Sequence, residues 1–300
     1  MVKPNKMRYG KCRVIDTFTD FMSYWSQARS KNIEGQIKLW RTSYMAKYPE
    51  LLKKQLRNYE SIGLNWRDIA REKVFPKLPE FLPRMQEAKK NILAVCESVC
   101  ERFQQTLNSN FEIIFVIYVG IGCGAGWATH YEGLPACLLG LENIVDCGWQ
   151  SKDKLRGLIT HELGHLIHTT WRKKKHELEP TGDNPLFQLY SEGFATRCER
   201  MILGNKVLWH NAPDKNWFAW CMQHKDWLAK EYLRRIEKNK PVRDFFGSWL
   251  DIKGKKYTGY FLGHEFICEM QKKNSLKKIA LFNIREIREL IINYLRDMNN

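Results

Sequence analysis

The sequence predicts a predominantly helical α+β chain. Three observations predict it. Apolar residues recur at helical spacing through the first hundred residues. The texture then turns β-branched, aromatic and glycine-rich between 108 and 150. Helical periodicity resumes at Ser151 and continues toward the end of the chain.

Taken in order, Ile15, Phe18, Phe21, Met22 and Trp25 repeat at helical spacing, and Leu51, Leu52 and Leu56 continue the pattern. Pro76, Pro79 and Pro83 punctuate the chain. Met85, Ala88, Ile92, Val95, Val99, Phe103 and Leu107 then predict one helix of about 20 residues. Residues 1–107 are therefore expected to form a helical N-terminal extension. Phe111 to Val119 predicts a buried strand, and Pro135 to Ile144 a second. Between them stand Gly120, Gly122, Gly124 and Gly126. A phosphate-cradling loop needs a helix directly after its glycines, but Trp127-Ala128-Thr129-His130 follows, so a glycine-rich turn is expected. Further helices are predicted at 152–171, 185–203, 215–236, 258–272 and 283–297, with a charged loop at 172–184. On this reading 108–300 is one domain: strands in 108–150, the helix 152–171, and a helical subdomain over 183–300.

Composition narrows the classes. Hydrophobic residues make up 44% of 300, enough for a core, which argues against a disordered chain. No apolar run approaches the ~18 residues of a membrane span, and the polar start, Met1 to Lys11, lacks the apolar stretch of a secretory signal. The cysteines number nine, are irregularly spaced and include no CxxC pair, so a reduced, cytoplasmic protein is expected, most thiols acting as small apolar residues. The net charge of +16 permits contact with nucleic acid or anionic membrane without establishing either. No Lys or Arg occurs from Phe103 to Gln150, and the run Arg172-Lys173-Lys174-Lys175 is expected as a solvated loop.

The chemistry sits in His161-Glu162-Leu163-Gly164-His165, an HExxH sequence. On a helix its two imidazoles stand one turn apart and converge on one metal ion. The context supplies that helix, because Leu155, Leu158, Ile159, Leu163, Leu166 and Ile167 fill one face and the histidines fall outside it. Ser151 or Asp153 caps its start. Glu162 follows the first ligand, where its carboxylate reaches a metal-bound water. Two imidazoles are too few for zinc. The third ligand is expected to be Glu192, on a second helix capped by Asn184 with Pro185 in its first position. His168 is the rival, but three ligands from one straight helix splay along its axis.

These residues resemble the gluzincin metallopeptidases, the thermolysin-like clan, and in particular its small bacterial predicted zinc-dependent proteases. The resemblance rests on His161 to His165, on Glu192-Gly193-Phe194-Ala195 as the Glu-Gly-x-Ala block, and on Tyr257 to Gly263 as the Gly-Tyr-x-x-Gly block. It spans 110–272 and leaves 1–107 unmatched. It implies a thermolysin-like zincin core: a small mixed sheet beside the zinc helix, a helical subdomain, and the last strand before that helix as the cleft edge. It also implies a zinc ion held by His161, His165 and Glu192, with Glu162 as general base. Tyr260 is the candidate oxyanion donor, with His264 and Tyr257 as alternatives. The clan's aspartate four residues after the glutamate is here Thr196, so another group must orient a ligand histidine. Gly140-Leu141-Glu142-Asn143 echoes the aminopeptidase branch, where the glutamate binds a free amine, while a polar residue on an alternating strand is the simpler account of Glu142.

The expected activity is zinc-dependent hydrolysis of peptide or protein substrates. Three alternatives stand beside it: a regulatory protein that keeps the zinc helix without catalysis, a nonpeptidase hydrolase, and a nucleic-acid binder using Trp217, Trp220, Lys225 and Trp227. The intact Glu162 opposes the first, since binding needs no base.

Overall fold

A computed structural model describes residues 5–9, 11–173, 184–204, 209–247 and 250–298. The chain forms two compact units, Met1–Glu162 and Leu163–Asn300, whereas the sequence reading divides it at 107/108. The division falls inside one continuous helix.

The first unit is built on a five-stranded mixed sheet. Its strands are β1 (Asn5–Tyr9), β2 (Cys12–Asp16), β3 (Ile113–Tyr118), β4 (Gly126–Tyr131) and β5 (Leu134–Gly140), in the order β1-β2-β3-β5-β4. β1 and β4 pair antiparallel with their neighbours, while β2-β3 and β3-β5 are parallel. Every residue of β3 is buried, as befits a parallel strand at the centre of a sheet. The helices of this unit are α1 (Phe18–Ala28), α2 (Ile33–Leu39), α3 (Pro49–Ser61), α4 (Trp66–Ile69), α5 (Leu78–Leu107) and α6 (Leu141–Asp146).

The expected strands at 111–119 and 135–144 are present, with changed limits: the second stops at Gly140, where α6 begins. Three features depart from expectation. The N-terminal segment is not wholly helical. Ile15 lies in β2, where Cys12, Val14 and Ile15 are buried and the strand pairs with β3. α5 has 30 residues and runs through Pro83; Pro79, in the first turn, forfeits no helical hydrogen bond, whereas Pro83, the sixth residue, gives up the one to the Pro79 carbonyl. Finally, β4 follows the glycine cluster, where only a turn between the two strands is expected. It closes on β5 through Glu132 and Gly133, both at positive φ (49° and 78°), the pattern of a two-residue hairpin turn. β5, the last strand before the helix that carries the HExxH sequence, is therefore internal, and the sheet edge on that side is β4.

Cys12 on β2 and Cys100 on α5 pair as a disulfide, a departure from the expectation of a reduced protein.

The helix α7 (Lys152–Lys173) carries the HExxH sequence. The second unit continues with α8 (Pro185–Leu203), α9 (Trp217–Gln223), α10 (Lys225–Glu237), α11 (Thr258–Gln271), α12 (Leu276–Ala280) and α13 (Ile284–Asp297). The segment predicted as one helix at 215–236 breaks at His224 into α9 and α10. α8 starts where predicted, with Asn184 Oδ1 accepting from the N–H groups of Leu186 (3.0 Å) and Phe187 (3.4 Å). α8 and α11 cross at Gly193 and Gly263, where a Cβ on either would collide with the other's backbone. Among the described residues no helix is long and apolar enough to cross a membrane.

The basic run at 172–175 is not simply a solvated loop. Arg172 is buried at the end of α7 and its Nη1 donates to the carbonyls of Ala280 (2.9 Å) and Phe282 (2.7 Å). Lys173 is the exposed last residue of α7. Lys174 and Lys175, with the rest of the predicted charged loop up to residue 183, lie outside the described residues.

Candidate metal centre

All six apolar residues assigned to one face of α7 are buried. The polar face is covered too: His161 is 3% exposed and Glu162 8%. In the second unit, α8 supplies that cover beyond Leu163. A Cβ on Gly164 would press on Ala195, so the glycine inside the motif lets the two helices approach.

The potential ligand atoms of His161, His165 and Glu192 all lie within 4.8 Å of one another. His165 Nε2 stands 3.4 Å from Glu192 Oε2. Two donors each about 2.0–2.1 Å from a tetrahedral ion stand about 3.4 Å apart, so this spacing suits a shared metal. Ser191 Oγ lies 3.3 Å from His165 Nδ1, within reach to orient that imidazole. With the Nδ1 proton directed at that hydroxyl, the Nε2 lone pair faces Glu192. Thr196, at the aspartate's position, donates instead to the Glu192 carbonyl (2.8 Å). Sequence reasoning missed Ser191, although its place next to the third ligand was a usable signal.

It also missed Glu199 and His210. Both are buried; His210 Nδ1 lies 2.8 Å from Glu199 Oε2, and the His210 N–H donates to Oε1 (3.1 Å). Their ligand atoms and those of His161 also lie within 4.8 Å of one another. Glu199 falls two turns after Glu192 on α8, a periodicity visible in the sequence.

His168, the rival ligand, sits in an aromatic box. It stacks on Phe194 (4.4 Å) and meets Tyr190 edge-on (4.8 Å), and its Nε2 has no hydrogen-bond partner among the described residues. Burial, assisted by the Arg172 charge, pushes its pKa well below the usual histidine range.

In the first unit, Gly126 lies against Glu162: a Cβ there would come to 2.5 Å from Glu162 Oε1. The loop leading to Gly126 is held by side chains. Val119 N–H donates to Tyr44 Oη (3.1 Å) and its carbonyl accepts from Trp40 Nε1 (3.1 Å). Ile121 N–H donates to Gln55 Oε1 (3.2 Å) and its carbonyl accepts from Tyr59 Oη (2.8 Å). Glu142 accepts from Gly120 N–H (2.8 Å) and Gly122 N–H (3.2 Å).

Glu142 is thus not on a strand. It is 2% exposed, in the first turn of α6, with both oxygens engaged by the loop. Burial pushes its carboxyl up to about 7, against the downward pull of those N–H bonds.

Tyr260 is half-buried near the start of α11, its ring 5.6 Å from Phe246 and 6.0 Å from Tyr257. Tyr257 is buried, with φ of 61° at the helix cap. His264 packs edge-on against Trp209 (4.9 Å), and its Nδ1 lies 3.2 Å from Glu265 Oε1. The residues proposed for nucleic acid are engaged within the chain: Trp217 Nε1 donates to the Lys256 carbonyl, Trp220 stacks on His224, Lys225 pairs with Glu265, and Lys253 covers Trp227.

No protein-family profile, curated protein or solved structure matches this chain.

Proposed function

We propose that the chain is a zinc-dependent peptidase of gluzincin type. One observation carries the reading: two imidazoles and a carboxylate, from helices α7 and α8, offer donor atoms within 4.8 Å of one another, with Glu162 next in sequence to the first imidazole. Two nitrogens and one oxygen form a donor set for zinc or a similar transition metal, whereas calcium and magnesium take oxygen ligands. His161, His165 and Glu192 would hold the ion. When bound, zinc lowers the pKa of its water toward about 7 and polarises a carbonyl oxygen.

The chain's own residues do the remaining work. Glu162 accepts the proton of the attacking water and passes it to the leaving amine. Gly126 permits backbone close to that carboxylate, and the side chains around 119–122 keep this backbone in place. β4 offers the edge to which an extended peptide adds as a further strand. Tyr260 donates to the oxyanion. Ser191 keeps His165 turned toward Glu192.

The test is elemental analysis of the purified protein beside Glu192→Ala, followed by a peptide-library digest with wild type and Glu162→Gln. About one zinc per chain, diminished in Glu192→Ala, and cleavage lost in Glu162→Gln are expected. A protein that takes up no zinc when supplied with it overturns the reading. Zinc retained in full by Glu192→Ala would remove that residue from the ligand set.

A further inference from the structure

A second cluster of side chains able to ligate a metal lies on α11 and shares no residue with the His161–His165–Glu192 set. The potential ligand atoms of His264, Glu265 and Cys268 lie within 4.8 Å of one another. Cys268 Sγ is 3.6 Å from His264 Nε2 and 3.8 Å from Nδ1. Glu265 Oε1 sits 3.2 Å from Nδ1, while Lys225 Nζ holds the other carboxylate oxygen at 3.0 Å.

Each distance has a consequence. Histidine and cysteine four residues apart share one helix face, the spacing of His161 and His165. Cys268 Sγ is nearly equidistant from the two ring nitrogens and Glu265 Oε1 stands against Nδ1, so a nitrogen, a carboxylate oxygen and a sulfur are offered within 4.8 Å of one another. A nitrogen and a sulfur bound to one tetrahedral zinc ion stand about 3.5 Å apart, which the observed 3.6 Å meets. Trp209 walls one side of the imidazole, and Cys268 is half-buried, so its sulfur stays open to an ion from solution. Arg197, a neighbouring positive charge, donates its Nε to Gln271. Lys225 is likewise directed at Glu265.

We propose that His264, Glu265 and Cys268 form a second metal site, for a thiolate-binding divalent ion such as zinc or cobalt. Water or a ligand from solution completes the coordination. As the metal–sulfur bond forms, the S–H bond breaks and the proton leaves to solvent.

The two sites can be read apart, because the His161–His165–Glu192 set contains no sulfur. On addition of Co2+, thiolate-to-cobalt charge-transfer absorption in the near ultraviolet reports a cysteine ligand. Wild type is expected to show it, and so is the double variant His161→Ala/His165→Ala. Cys268→Ala should lose the band and Cys123→Ser should keep it. Absence of the band in wild type, or its survival in Cys268→Ala, overturns the proposal and leaves the first site untouched. If Cys268→Ala does not fold, wild type still decides. Alkylation of Cys268 by iodoacetamide, mapped by peptide mass, should fall when Co2+ is present while labelling of Cys123 does not. Equal labelling of Cys268 with and without Co2+ refutes the site.

Discussion

The loop at 119–122 and the crossing of α8 with α11 hold their backbones by opposite means. The loop is fixed by polar groups: Trp40, Tyr44, Gln55, Tyr59 and Glu142 each satisfy a backbone N–H or carbonyl. Such bonds are directional and exclude other partners, and a buried one left unmade costs about 1–3 kcal/mol. The crossing is fixed by absence, since Gly193 and Gly263 bring no side chain and the helices come together until their backbones touch. Directional bonds set the orientation of a short peptide beside Glu162. Close packing sets the separation of whole helices.

The sharpest way to break this comparison is at the base. Glu162→Gln keeps the shape beside Gly126 and removes the proton acceptor. Peptide cleavage should fall by about 10²–10⁴ with metal content and melting temperature unchanged. Activity within a few-fold of wild type would separate the loop from catalysis.

Next in size is Glu142. Its carboxyl, raised by burial to about 7, keeps a proton that the unfolded chain releases above about pH 4.3. The folded state binds more protons across that window, so this group's contribution to stability falls as pH rises from about 4.3 to 7. Glu142→Gln removes the effect. The variant should gain on wild type between pH 5 and pH 8, by at most about 3 kcal/mol. Thermal melts whose difference does not change with pH would refute the assignment.

At the crossing, Gly193→Ala should cost about 1–3 kcal/mol, because the new methyl meets backbone that cannot move aside. Urea unfolding measures it, and an unchanged midpoint would mean that the helices can separate at little cost. The smallest effect is expected at Ser191. Ser191→Ala leaves all three proposed ligands in place and should weaken zinc binding about 10-fold, up to 100-fold, in a chelator competition. Unaltered affinity would assign the orientation of His165 to another group.

What the sequence disclosed follows the range of the interactions involved. The start of α8 was legible because Asn184 and Pro185 act within one turn of it. The convergence of His161 and His165 was legible because four residues on a helix fix their separation. β1 and β2 were not, since β2 becomes a strand by pairing with residues about one hundred positions away. Ile15 alone fits either periodicity. Arg172 was misread because a charged run resembles solvent-facing chain, while its acceptors at Ala280 and Phe282 lie more than a hundred residues on. Glu142 was misplaced because its neighbours on paper suggest a strand, and the N–H groups that claim it belong to a loop twenty residues earlier.

The position of β4 carries a liability of its own. It is an edge strand of half-exposed residues, and Gly126 to Tyr131 include no lysine, arginine or acid. Edge strands in other proteins use charge, proline or bulges to discourage self-pairing. An edge kept plain enough to receive an extended peptide is equally open to the same edge of another copy. Concentrated solutions of this protein should therefore self-associate reversibly through β4, and a lysine placed at Thr129 should raise its solubility while obstructing the incoming strand.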